Sequence, residues 1–147
     1  MKFYDLCNGD DCSGCVQIFY CPKNKRCLRM WENFTESEMA CKGTGYCEMD
    51  DGFMKKMDQV RFLYGKPMIV TSGFRSQSHN EAVGGAERSP HLEGRAADIA
   101  ASGAEAYRLI KLAQEVGMTG IGLGKNFVHM DDCEDSPGRN RPTVWGY

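Results

Sequence analysis

The chain has 147 residues, enough for one ordinary domain with little room for a second. Hydrophobic residues make up 41% of it and charged residues 26%, a globular composition that excludes wholesale disorder. With 18 Lys and Arg against 20 Asp and Glu the formal net charge is −2, so the basic excess needed to neutralise phosphates is missing and no nucleic-acid partner is expected.

No apolar run approaches the roughly 20 residues that a membrane span requires. The opening MKFYDLCNGDDC has one early lysine, no apolar centre and several acids, so it does not read as a signal peptide, and synthesis in the cytoplasm is expected. Cysteine usage points elsewhere. Of 8 cysteines, Cys7, Cys12, Cys15, Cys21, Cys27, Cys41 and Cys47 crowd the first third and Cys133 stands apart. This divides the chain into a cysteine-rich segment, 1–32, and a conventional mixed domain, 33–147.

In chain order, Val16–Tyr20 and Cys27–Trp31 are short β-leaning runs joined by a turn, CPKNKRC. Thr35 and Glu38 have the spacing of a capping box and open a short helix. Asp50 or Asp51 caps the next helix, whose apolar positions run from Phe53 to Tyr64 before Gly65 stops it. Met68-Ile69-Val70 reads as a buried strand, followed by loop over TSGFRSQSHN and again over 84–90. Ala96–Ala100 is a strand that turns Ala96, Asp98 and Ala100 to one face. Ser102 caps a helix with Ala106, Leu109, Ile110, Ala113 and Val116 on its buried stripe, ended by Gly117. Two short strands follow, near Thr119–Leu123 and Phe127–Asp131, and the tail is polar until Trp145 and Tyr147. The fold class expected is α+β, a small, mostly antiparallel sheet with helices packed on one side and a cysteine-rich N-terminal extension.

Histidine is scarce: His79, His91 and His129 are the only three. His91 precedes Asp98 by seven positions, and His129 lies on a strand that can neighbour the Asp98 strand. Two imidazoles and a carboxylate suit a catalytic zinc, with the fourth position left to water. Spacing alone favours a satisfied surface histidine and a loop carboxylate over a metal site.

The segment Ser89-Pro90-His91-Leu92-Glu93-Gly94-Arg95-Ala96-Ala97-Asp98 closely resembles the S-x-H-x-x-G-x-A-x-D signature of the zinc D-Ala-D-Ala peptidase superfamily. That group includes bacterial carboxypeptidases, vancomycin-resistance dipeptidases, phage endolysin peptidases and the hedgehog signalling domain. TSGFRSQSHNEAVGG at 71–85 and GIGLGKNFVHMDD at 120–132 are similar to two further segments of the family, and Trp145-Gly146-Tyr147 to its usual ending. The likeness runs over residues 33–147 and leaves 1–32 uncovered.

The resemblance implies that His91, Asp98 and His129 hold one catalytic zinc. It implies that Arg75 clamps a substrate carboxylate or the scissile carbonyl, where a salt bridge to a nearby acid is the plainer alternative. Ser89 then supports the His91 loop or a substrate group. Several members of the family place an acid three residues before the last histidine, where this chain has Asn126, while its compact branch commonly shows the His-x-Asp ending found here. Asp131, on the same strand face as His129, becomes the first candidate for the base, or else a carboxylate that orients the histidine. Asp132 and Glu93 are weaker candidates, and His79 reads as a structural residue of its loop.

The cysteines can form additional structural zinc sites, with Cys12-x-x-Cys15 as the best sign, or disulfides. An oxidising cell envelope favours disulfides. The function implied is a zinc metallopeptidase acting on peptidoglycan stem peptides at the bacterial cell wall, a phage or prophage endolysin and a monomer. A cellular D-Ala-D-Ala carboxypeptidase or dipeptidase and a non-catalytic hedgehog-like zinc module are the alternatives.

Overall fold

The computed structural model of the protein describes residues 31–147. The expected hairpin over 16–31 and five of the eight cysteines therefore lie outside the described residues, apart from Trp31 itself. Trp31 is buried in the core, and the amides of Glu32 and Asn33 donate to Asp58 at 3.2 and 3.0 Å.

Local capping chemistry sets the first helices. The Thr35 hydroxyl accepts from the Glu38 amide while the Glu38 carboxylate accepts from the Thr35 amide, closing the expected capping box over α1, Glu36–Met39. The Asp50 side chain accepts from the Phe53 amide and starts α2, Asp51–Tyr64. Gly65 ends α2 in the left-handed region at φ 75°, where glycine carries no Cβ penalty. The first strand, β1, is Val70–Ser72, two residues later than the sequence pattern suggests. It is an edge strand and pairs only with β2, so β2 sets its limits; Ile69 before it is exposed.

The stretch expected as loop around Ser76 contains a helix, α3, Gln77–Ala82. Its cap is local: the Ser76 hydroxyl accepts from the His79 amide at 3.2 Å. A 3-10 turn, Pro90–Glu93, then delivers β2, Ala96–Ala100. Helix α4 spans Gly103–Glu115, and Ser102 sits at its cap position without a capping hydrogen bond. The remaining strands are β3, Gly120–Leu123, β4, Phe127–Asp131, and β5, Thr143–Gly146. The sequence pattern did not reveal β5.

The class is α+β. The sheet order is β1-β2-β4-β3-β5, antiparallel except for the parallel β3–β5 pair. Strand alternation gives its two faces different work. Ala97, Ile99, Val128, Met130 and Ile121 join the apolar core with Phe53, Met54, Met57 and Val60 of α2 and Ala106, Leu109 and Ala113 of α4. Each fully buried large side chain there contributes on the order of 1.5–3 kcal/mol. Asp98 and His129 fall on the opposite face. No described helix is long and apolar enough to cross a membrane.

Candidate metal centre

Register across the sheet builds the site. Asp98 pairs with His129, His129 with Gly122, and Gly122 with Trp145, so four strands meet in one row. The next row runs Ala96, Asp131, Gly120 and Thr143. Both β3 positions on this face are glycine because the space is taken. A Cβ at Gly122 would lie 2.8 Å from the Trp145 ring, and one at Gly120 would lie 2.2 Å from Asp131 Oδ2. His91 reaches the same point from the 3-10 turn.

His91, Asp98 and His129 are all buried, and one ligand atom from each lies within 4.8 Å of the others. Hydrogen bonding fixes which atoms these are. His91 Nδ1 is 2.7 Å from the Gly73 carbonyl, which only accepts, so Nδ1 carries the proton and the Nε2 lone pair faces inward. That lone pair is 3.2 Å from Asp98 Oδ1. His129 stands between two carboxylates, with Nε2 2.9 Å from Asp131 Oδ2 and Nδ1 2.9 Å from the same Asp98 oxygen; with Nε2 donating to Asp131, the Nδ1 lone pair faces inward. Two lone pairs and a carboxylate oxygen converging in a buried space repel unless a cation lies among them. The donor set, two imidazoles and one carboxylate, is that of an open zinc site.

The charges follow the geometry. Burial lowers the His91 pKa despite Asp98 beside it. Burial acts the same way on His129, but hydrogen bonds to Asp131 and Asp98 outweigh it and raise the pKa above the ordinary 6.5. Burial alone would raise Asp98 and Asp131. Hydrogen bonds from the histidines, joined at Asp131 by Arg141, hold both well below the usual carboxylate range.

Asp131 is fully buried with both oxygens engaged. Oδ1 accepts from Arg141 Nε at 2.8 Å and from the Cys133 amide at 3.2 Å. Oδ2 accepts from His129 and from Arg141 Nη2 at 2.8 Å. Arg141 drew no notice in the sequence, since it belongs to a polar tail whose return to the sheet has no local signal. Arg75 donates from Nη2 to Asp98 Oδ2 at 3.1 Å and from Nε to the Ser72 hydroxyl at 2.9 Å. The Ser89 hydroxyl accepts from the His91 amide at 3.4 Å.

Other expected residues lie apart. Asp132 is held by Lys56 at 2.8 Å and Arg95 at 2.9 Å. Glu93 pairs with Arg139 at 2.6 Å. Asn126 is exposed, and its backbone carbonyl accepts from Ala101. His79 packs beside Gly43, where a Cβ would lie 2.6 Å from its Nδ1. Cys41, Cys47 and Cys133 are not joined to one another.

A cleft of about 870 Å³ opens over the ligand row. Arg75, Ser89, His91, Asp98 and His129 line one part of it, with the Trp145 ring tilted against that of His129 at 5.2 Å between centroids. Tyr147, Arg141, Arg139, Arg88 and the segment Val83–Ala86 complete the walls. Asp98 is the one carboxylate among the described lining residues.

Residues 32–131 match the sequence profile of the family Peptidase M15. The zinc D-Ala-D-Ala carboxypeptidase of Streptomyces albus G is 33% identical over 132 residues. That match takes in 89% of this chain and 48% of the relative, so the chain spans about half the length of the curated protein it matches.

Proposed function

Because the chain belongs to the M15 peptidase family, we propose that it is a zinc metallopeptidase that hydrolyses peptide bonds in peptidoglycan stem peptides at the bacterial cell wall, with an endolysin as the finer reading. The observation that carries this is the convergence of two oriented imidazole lone pairs and one carboxylate oxygen at the base of a cleft. His91 Nε2, Asp98 Oδ1 and His129 Nδ1 would hold the ion. Zinc, when bound, supplies Lewis acidity toward the scissile carbonyl and lowers the pKa of water.

The protein groups do the rest. Gly73 and Asp131 fix the histidine tautomers from behind. Arg75 uses two donors on Asp98 and Ser72, and the rest of its five N–H groups are left for a substrate carbonyl or carboxylate. Ser89 supports the His91 turn. Asp131 is better suited to orienting than to proton transfer: its oxygens already accept four hydrogen bonds, and arginine pairing keeps it ionised. Trp145 packs against the His129 ring on the cleft side.

Two observations keep other readings in play. The carboxypeptidase relative favours removal of a terminal D-Ala over internal cleavage. The lack of a second carboxylate among the described cleft residues favours a non-catalytic, hedgehog-like zinc module. The test is release of new amine groups by zinc-loaded protein from purified sacculi and from a D-Ala-D-Ala peptide. Release from sacculi supports the proposal, release from the small peptide alone supports the carboxypeptidase, and no release from either supports the binding module.

A further inference from the structure

Four arginines line the cleft, and three are matched to carboxylates: Arg75 to Asp98, Arg139 to Glu93 and Arg141 to Asp131. Arg88 has no carboxylate partner among the described residues. Its Nη1 donates to the carbonyl of Pro137. Arg139 returns the tie, donating from Nη2 to the carbonyl of Arg88 at 2.6 Å. The two guanidinium groups are thus cross-strapped between the segment before the 3-10 turn and the tight 136–139 turn. That turn is itself closed by paired backbone bonds between Ser136 and Arg139 at 3.0 and 2.8 Å. Arg139 is only 10% exposed along its side chain, and its Nε is buried without a hydrogen-bond partner. Two small residues, Gly84 and Ala86, line the same cleft.

A buried guanidinium N–H without an acceptor is costly, and an unpaired neighbouring charge adds to that cost. A carboxylate, whose two oxygens match the planar fork of an arginine, supplies the counter-charge that Arg88 lacks and adds to the field at Arg139. We propose that Arg88 and Arg139 form a carboxylate-recognition subsite, separate from Arg75 and the metal ligands, that takes a carboxylate borne along the peptide substrate and not the one at its C-terminus. This rests on the stem-peptide reading above. Such peptides can carry a carboxylate on the isoglutamyl residue and another on the diamino-acid residue. Amidation of either removes the charge and leaves the shape.

The experiment measures calorimetric binding to the full chain, zinc-loaded and again after chelation so that no turnover occurs. Three synthetic stem peptides serve as probes: free acid, amidated at the isoglutamyl residue, and amidated at the diamino-acid residue. One amidation is expected to weaken binding to the wild type about tenfold or more, since charge-assisted pairs are roughly twice as strong as neutral ones. Which amidation does so identifies the recognised group. In Arg88→Gln, an exposed position, the free acid should bind about as weakly as that amide, and the amide should be unaffected. Equal binding of all three peptides to the wild type overturns the subsite, without recourse to any variant. Equal loss for every peptide in Arg88→Gln also overturns it, because the arginines then only fasten the turn. Selective binding with no amine release from any peptide keeps the subsite and sinks the hydrolase reading instead.

Discussion

At His129 the two ring nitrogens have different partners and different work. Nε2 is committed to Asp131, so any cation must take the place of a proton between Nδ1 and Asp98. The raised pKa makes that proton count. In metal-free protein its stabilising effect is complete below the ordinary value of 6.5 and is lost as pH rises through the raised value. Zinc binding should therefore release about one proton below that raised value, and affinity should fall about tenfold for each unit by which the pH is lowered there. Asp98 and Asp131, both lowered, stay ionised above 3.8 and add nothing to this slope. Zinc titrations across a pH series, with imidazole NMR on the metal-free protein, measure it. An affinity that is flat across the His129 titration would sink the ligand assignment. Asp131→Asn tests the neighbouring claim: zinc affinity should drop about 10–100-fold and excess zinc should restore most of the turnover. A deficit of about 10²–10⁴-fold that persists at saturating zinc would make Asp131 the proton shuttle after all. The meeting of His91, Asp98 and His129 was legible because histidine is scarce here and all three stand in ordered motifs. Arg141 was not, because its meeting with Asp131 depends on the path of the chain between them.

Among the elements, β3 has the simplest sequence and the tightest constraint. Gly120 and Gly122 leave room for the Asp131–Arg141 pair and the Trp145 ring. Gly120→Ala would bring a methyl to 2.2 Å from Asp131 Oδ2 and 2.6 Å from Arg141 Nε, atoms with little freedom to move. Parting that pair should cost about 3–5 kcal/mol, the range for breaking a buried ion pair. Gly45→Ala is the control: φ is 76°, no atom lies within 4 Å of the new carbon, and only backbone strain of about 1–2 kcal/mol is expected. Denaturant midpoints of the two variants decide it, and equal losses would mean that crowding at Gly120 is relieved elsewhere. The same contrast of local and distant causes explains which elements the sequence disclosed. Helices α2 and α4 have a helical apolar period and a stop glycine, and β2 and β4 alternate. Strand β5 is four residues in a polar tail, paired in parallel with a partner about twenty positions earlier. Helix α3 is polar and six residues long, and its Ser76 cap looks like any loop serine.

In the whole molecule, one face of the sheet is closed by hydrophobic burial and the other by polar ties that converge on the ligand row. The apolar face needs no metal: Phe53, Met57, Val60 and Leu109 are fully buried among side chains of α2, α4 and the sheet. The other face hangs on His91. Its ring holds the Gly73 carbonyl, its own carbonyl accepts from the Arg75 amide at 3.0 Å, and its amide is capped by Ser89. Glycine 94 continues the link, its carbonyl accepting from the Asp50 amide at 2.9 Å. Zinc at a thousand times its dissociation constant stabilises the folded state by about 4 kcal/mol. Removing it should release that stabilisation unevenly, because local opening follows the weakest set of contacts. Chelation is therefore expected to speed amide hydrogen exchange at Arg75 and around 91–95, while Val60 and Leu109 on the helices keep their protection. Mass-spectrometric exchange with and without chelator resolves these segments. Uniform acceleration across both faces would show instead that the metal holds the entire fold, and that the apolar core alone falls short of the ordering entropy it must overcome.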